Sequence, residues 1–541
     1  MLDLWYKNAV IYCLDVEVFM DGNGDGVGDF SGLSKRLDHL EALGVTCIWL
    51  LPFYPTPNRD NGYDISDYYG VDPRLGSLGD FVDFIRAARH RGMRVIVDLV
   101  ANHTSIDHPW FQAARSDPDS PFRDWYVWSK EKPADADEGI IFPGVQHTTW
   151  TYDEKAGEYY FHRFYEHQAD LNIGNPAVKE EIEKIMGFWL ELGVSGFRID
   201  AVPFLIEYKG LDNPPDSDPH AYLTELRDFL AWRKAEAVML AEANIPMDQA
   251  DEYFGNGDRM TMVFHFMLNQ MLFLSFARQD ATPMAEALCG TPKIPKIGQW
   301  AMFLRNHDEI DLGRLSDAER EEAFAAFGPE PGMQIYNRGI RRRLAPMLGG
   351  DPRRLALAFS LVFALPGTPV LWYGDEIGMG EDLSLPERHP VRMPMQWDDG
   401  PNGGFSPAPA DQLVRRMVNS GAFAFDKVNV ASQRDDPTSL LNQVHRMIQE
   451  RRAHPEIGWG SCSVLDPGDA AVLALCQTWK ERRIVSLHNI ADRPAAARID
   501  LDQKPKRVRR IIADLGAQPI DSIDQAIQLD PYGFCWLELI D

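Results

Sequence analysis

An α/β fold built on a (β/α)8 barrel is what this 541-residue chain predicts, and three observations carry the prediction. Apolar runs of strand character alternate with stretches of helical periodicity. Eight such runs follow one another, at 9–19, 46–52, 94–100, 196–202, 238–243, 260–266, 300–308 and 369–376. Three of them run straight into acids, at Asp200, Glu242 and Asp308, and the end of a barrel strand is where such enzymes keep their chemistry.

Taken in order, the first run leads to a helix expected over 33–43 and stopped by Gly44. The second leads to one over 80–91 stopped by Gly92, and both stops suit a glycine C-cap. The regular spacing fails after the third run. Residues 104–170 are rich in Trp, Tyr, Pro and Asp without a long helical stripe, so an excursion domain is expected there, followed by a helix over 176–192. A second irregular stretch, 377–437, follows the eighth run with many Pro and Gly, and its place at the barrel mouth favours a functional loop. A helix near 438–453 then leads into short alternating segments such as 471–475 and 483–487, which predict a C-terminal antiparallel β domain. The expected division is therefore barrel over 1–103, insertion over 104–170, barrel again over 171–454 and the β domain over 455–541.

Composition limits the partners. The net charge of −27, from 81 acidic against 54 Lys and Arg residues, repels polyanions, so nucleic acid is not an expected partner. The dense basic run Arg341-Arg342-Arg343 reads as a solvated face. The first residues lack a basic region followed by an apolar one, and nowhere do 18 apolar residues run together. A soluble cytoplasmic protein with no membrane partner is the expectation, and a homo-oligomer is left open. The six cysteines, Cys13, Cys47, Cys289, Cys462, Cys476 and Cys535, form no CxxC pair and are expected as buried free thiols.

Carboxylates from separate strands suit glycoside hydrolysis, which needs one ionised nucleophile and one protonated acid. Asp200 follows Arg198 by two residues on a strand, so both face one side and the guanidinium is expected to keep the carboxylate ionised. Glu242 ends an apolar strand, where partial burial raises a carboxyl toward the value an acid needs. The segment 21–29 sets oxygen donors at alternate positions with a glycine sixth, as a calcium loop does. Its twelfth position is Gly32 where an EF-hand has glutamate. Asp21, Asn23, Asp25, Asp29 and the carbonyl of Val27 are the expected ligands of one calcium or magnesium ion.

Asp98-Leu99-Val100-Ala101-Asn102-His103, Gly196 to Val202, Ala241-Glu242-Ala243-Asn244 and Arg305-Asn306-His307-Asp308 resemble the four signature regions of the α-amylase family, glycoside hydrolase family 13, in the right order. Gln168-Ala169-Asp170-Leu171-Asn172 resembles its fifth. Its trehalose synthase and α-glucosidase branches are the most similar, on segments such as Trp5 to Tyr12, Gly339 to Pro346 and Tyr373 to Gly380. The resemblance implies Asp200 as nucleophile, Glu242 as general acid/base and Asp308 as the acid that holds sugar hydroxyls. It implies that His103 and His307 bind hydroxyls of the transferred glucose, that Tyr63 lies under that sugar with Asp64 beside it, and that Asp98 orients Arg198. It also implies that Asp60 pairs with Arg388 and Arg392 to close the pocket.

A second calcium site is implied at Asn102 and Asp170, completed by the carbonyls of Phe204 and Leu205 and by Glu207; no organic cofactor is implied. The implied activity is a retaining one on small α-glucosides such as maltose or trehalose. The expected reaction is intramolecular interconversion of maltose and trehalose through a glucosyl-Asp200 intermediate; an α-glucosidase acting on maltose, sucrose or related small α-glucosides is the alternative, because Gly313 and the segment Lys209-Gly210-Leu211-Asp212 depart from the isomerase pattern. A non-catalytic carbohydrate-binding protein is the remote alternative.

Overall fold

The computed structural model describes residues 3–207, 209, 218–514, 520 and 523–540, which leaves Gly210, Leu211 and Asp212 outside the described residues. Eight parallel strands close a barrel: Ile11–Leu14, Cys47–Leu50, Arg94–Leu99, Gly196–Ile199, Val238–Ala241, Met262–Phe264, Gln299–Phe303 and Thr368–Trp372. Closure is made where Ile11 pairs with Val370. Each expected run overlaps one strand, but the strands are shorter than the runs, and those at Gln299 and Thr368 begin one residue before theirs. The first, for example, covers 4 residues of 9–19. The surplus there is buried loop and the short buried helix Val16–Phe19, and in a parallel barrel covered on both faces, strand and buried chain beyond it alike read as continuous apolar sequence.

The helix expected over 33–43 is two, Phe30–Lys35 and Leu37–Leu43, broken at Arg36, and Gly44 ends the second at φ +97°. The next, Leu78–His90, begins two residues earlier than expected because Ser77 and Asp80 form a reciprocal capping box, a device worth about 1 kcal/mol. Pro176–Leu192 has the expected bounds, set by the Asn175 cap and by Gly193 in the left-handed region. Leu440–Ala453 starts behind the Ser439 cap.

Between the third and fourth barrel strands the chain makes the helix Pro109–Ser116 and a small antiparallel sheet of Trp128–Ser129, Glu158–Phe161 and Trp150–Asp153. It returns to the barrel mouth through His103–Ser105 paired with Gln168–Asp170, which sets His103 opposite Asp170. After the barrel, a five-stranded antiparallel sheet runs in the order Ser461–Leu465, Val472–Trp479, Arg482–Asn489, Phe534–Ile540, Arg507–Ala513. It is fixed to the barrel helix Pro352–Ala364, where Ser360 meets His488 at 2.9 Å and accepts the Trp536 indole N–H at 3.0 Å.

Two expectations from composition fail. Arg341-Arg342-Arg343 is not a solvated face: Arg343 is fully buried, donating to the Val391 carbonyl at 3.0 Å and pairing with Asp375 at 3.1 Å. Arg342 pairs with Glu381 at 2.7 Å and Arg341 donates to the Leu383 carbonyl at 2.7 Å. The run ties the loop after the eighth strand to the barrel, which local polarity does not reveal. All six cysteines are free, but Cys289 is exposed and Cys462 half-buried, so burial holds only for the other four. No helix among the described residues is long and apolar enough to cross a membrane.

Candidate active site

The carboxyl ends of the barrel strands deliver the three acids to one mouth. Asp200 follows Gly196–Ile199 and Glu242 follows Val238–Ala241, each one residue beyond its strand, and Asp308 lies five residues past Gln299–Phe303. All three line a single cavity of ≈ 500 Å³ together with Asp60, Tyr63, His103 and Arg388, a size within the roughly 300–1,000 Å³ usual for small-molecule sites.

Arg198 is the hub. Register places it beside Asp98 of the third strand, and its Nη1 reaches Asp98 Oδ1 at 2.9 Å and Asp200 Oδ1 at 2.7 Å. Its Nη2 reaches Glu242 Oε1 at 2.6 Å. One cation is thus shared among three carboxylates, with Asp98 and Asp200 buried and Glu242 half-buried, and its pull favours the ionised form of each. Burial pushes Asp200 up against the pull of Arg198, and pushes Glu242 up the same way, with Asp200 and Asp308 adding repulsion. Burial also carries Asp98 up to about 7.

Asp308 is the contrast. Burial works to raise it, but Arg388 at 2.7 Å, His307 at 3.1 Å and Arg392 at 2.9 Å outweigh that and hold it well below the carboxylate range. Asp308 is therefore held as an anion. Burial pushes His307 down to about 4, so near neutral pH its ring is uncharged and can share hydrogen bonds without adding charge. Its Nε2 lies 2.8 Å from the Tyr63 hydroxyl, and the two rings stack at 5.7 Å. His103 Nε2 meets the Tyr63 carbonyl at 3.1 Å.

Asp60 and Arg388 pair at 2.9 Å, and the other arm of Arg388 is on Asp308. Arg392 does not join Asp60. It is buried behind the acid, on Asp308 and on the His307 carbonyl at 2.9 Å. Asp64 is also misplaced as a sugar ligand. Fully buried, it accepts from the Thr56 hydroxyl at 2.9 Å and from the Arg59 and Asp60 amides at 3.1 Å, which shapes the loop that aims Asp60.

The second metal set is overturned. The ammonium of buried Lys209 sits between Asn102 Oδ1 and Asp170 Oδ2, 2.5 Å from the latter. Glu207 is turned away onto Arg163 at 2.6 Å, and the ring of Phe204 lines the reaction cavity. An ammonium satisfies both oxygens, and a divalent ion at bonding distance from it would repel it strongly. The 21–29 loop keeps an all-oxygen donor set. Asp21 is buried and oriented by the amides of Asn23 and Gly26, at 3.0 and 2.8 Å, and by Ser406 at 2.6 Å. Asp29 accepts from the amides of Gly22 and Gly32, at 3.0 and 2.7 Å. Gly26 is required there, at φ +93°, because a Cβ would lie 2.3 Å from the Gln412 carbonyl. Hard oxygens of this kind are the donor type that calcium or magnesium takes.

Several lining residues escape the sequence. Glu309 directly follows Asp308, faces Arg338 at 3.7 Å and is pushed up by burial to about 7. Asn244 donates to Asp311 at 2.9 Å. Glu309 and Asn244 stand inside or beside the motifs and were findable by adjacency. Arg338 and Phe142 come from remote segments and carry no local signal.

A barrel whose strand ends bring three acids and an arginine hub into one cavity defines a carbohydrate-active enzyme class, and the chain belongs to the α-amylase family: the model of the α-amylase catalytic domain matches residues 14–325 and 340–460. Among individual proteins, it is 41% identical over 543 residues to the trehalose synthase/amylase TreS of Mycobacterium tuberculosis, covering 99% of this chain and 90% of that protein. It is 42% identical to a trehalose synthase of Thermus thermophilus, covering 99% of this chain and 56% of the relative. Its structure is similar to that of the trehalulose synthase MutB of Pseudomonas mesoacidophila MX-45, with a TM-score of 0.79, 26% identity and 99% of both chains covered.

Proposed function

We infer that this enzyme interconverts maltose and trehalose by intramolecular glucosyl transfer. The observation that carries the reading is the wall of the cavity: three acids face one cavity that is bounded on one side by the Asp60–Arg388 ion pair, anchored in turn on Asp308. The similarity to two trehalose synthases over 99% of the chain supports it.

The chemistry follows from the groups present. Asp200 attacks the anomeric carbon while Glu242 gives its proton to the glycosidic oxygen, leaving a β-glucosyl ester and free glucose. Asp308, anionic throughout, holds hydroxyls of the transferred sugar together with His103, neutral His307 and Tyr63. The released glucose turns over inside the chamber, its anomeric hydroxyl loses a proton to Glu242, and its oxygen displaces Asp200 to form the α,α-1,1 linkage. Water entering at that stage gives hydrolysis instead, so closure rather than the identity of the acids decides the product. A divalent cation in the 21–29 loop is part of the same reading; that loop already meets the 405–414 segment, where the backbone amide of Asp21 donates to the Phe405 carbonyl at 3.0 Å.

Incubation with maltose, and separately with trehalose, followed by separation of the products tests the reading. Each disaccharide is expected to yield the other with glucose as the minor product. Active enzyme that makes glucose but never trehalose overturns it in favour of an α-glucosidase.

A further inference from the structure

The reaction chamber shares a wall with a second cavity of ≈ 230 Å³. Asp60 and Arg388 line both, so the ion pair between them is the partition. The second cavity is also lined by Arg59 and Val145, both exposed, and so it lies on the solvent side.

What holds the partition is Glu387, the neighbour of Arg388 in the chain. Its Oε2 accepts hydrogen bonds from two tyrosine hydroxyls, Tyr336 at 2.9 Å and Tyr165. Phe142 stacks on Tyr165 at 4.7 Å and lies 4.8 Å from Tyr336, and the Arg388 guanidinium sits 5.2 Å over the Phe142 ring. Three chain segments far apart in sequence therefore meet on one carboxylate. Two of its participants have an unfavourable backbone: Glu387 stands at φ +41° and Tyr336 at φ +55°. Side chains with a Cβ rarely adopt the left-handed region and stay there only where surrounding contacts hold them.

We propose that Glu387, clasped by Tyr165 and Tyr336, is the specificity-determining latch of this partition, fixing Arg388 across Asp60 and Asp308 and so setting how much glucosyl-enzyme is lost to water. The inference rests on the isomerase reading above. With the latch open, a water from the second cavity passes Arg388 and its oxygen bonds to the anomeric carbon. The ester bond to Asp200 breaks, Glu242 takes the water's proton, and two glucose molecules leave where one trehalose would have. Glu387 touches neither sugar nor reacting atoms, so it acts by position alone.

The test compares wild type with Glu387→Ala, Glu387→Gln and a double variant, Tyr165→Phe with Tyr336→Phe, which keeps the rings and removes only the two donors. Each is given maltose and followed for the ratio of glucose to trehalose at equal conversion. Each is also given 4-nitrophenyl α-glucoside and followed for the initial release of nitrophenol. The latch predicts that Glu387→Ala and the double variant raise the glucose share by about threefold or more while nitrophenol release changes by less than about threefold; Glu387→Gln falls between. An unchanged glucose share in the double variant, folded with a native melting temperature, overturns the latch and leaves the isomerase reading standing. Wild type that yields glucose alone sinks both. Equal losses in both assays at constant product ratio mark a structural role and also overturn the proposal.

Discussion

Arg198 shows how much of the chemistry hangs on single residues. With two nitrogens it serves Asp98, Asp200 and Glu242, and breaking its buried pair with Asp98 by removing one partner costs about 3–5 kcal/mol. Substitution at the acids separates their roles more cleanly. Asp200→Asn keeps volume and hydrogen bonding but removes the nucleophile, so turnover of maltose is expected below about 1% of wild type; a larger residue of activity points to another nucleophile. Glu242→Gln is expected to cleave 4-nitrophenyl α-glucoside in a burst, because that leaving group needs no proton, and added azide should restore steady turnover. No burst and no azide rescue would refute its place as acid/base. Asp200 and Glu242 were legible because each directly follows an apolar strand, and Asp308 because it closes the segment Arg305-Asn306-His307-Asp308. The resemblance also implied that Asp98 orients Arg198; the sharing of that guanidinium with Glu242 was not legible, since no local pattern aims Glu242 of a neighbouring strand at it.

At the scale of elements, loops rather than strands carry what the sequence hid. The eight barrel runs and the helix Pro176–Leu192 were readable from periodicity and caps, whereas Lys209 lies in a polar loop and nothing local aims its ammonium at Asn102 and Asp170. A cation held by the 21–29 loop alone stabilises only the native state. Chelation is therefore expected to lower the melting temperature of wild type by several degrees and to leave Asp21→Ala unaffected. A chelation response that persists in Asp21→Ala would mean a metal at Asn102 and Asp170 after all.

The joint between barrel and C-terminal sheet makes a pH prediction. Burial pushes His488 down to about 3, and its ring is bonded to Ser360. Its folded value is below the unfolded one near 6.5, so the stability it contributes is complete above pH 6.5 and is lost as pH falls toward 3. The slope is up to about 1.4 kcal/mol per pH unit. Replacing it with glutamine is expected to flatten the fall of melting temperature between pH 6.5 and 4.5. An identical slope in both proteins contradicts that assignment.

For the molecule as a whole, the division into barrel and antiparallel sheet follows from a change in hydrophobic period that any stretch of the chain displays. The wall at the Asp60–Arg388 pair does not, because it is assembled from Asp60, Phe142, Tyr165, Tyr336, Glu387 and Arg388, which no local pattern connects. Closure is also the central claim, since the same three acids behind an open wall would hydrolyse. Maltose incubated with free isotopically labelled glucose measures it most directly. A glucose that never leaves the chamber before it attacks gives trehalose without label, and this is the result the structure predicts. Trehalose carrying label in proportion to the free glucose pool, or no trehalose from active enzyme, would contradict it.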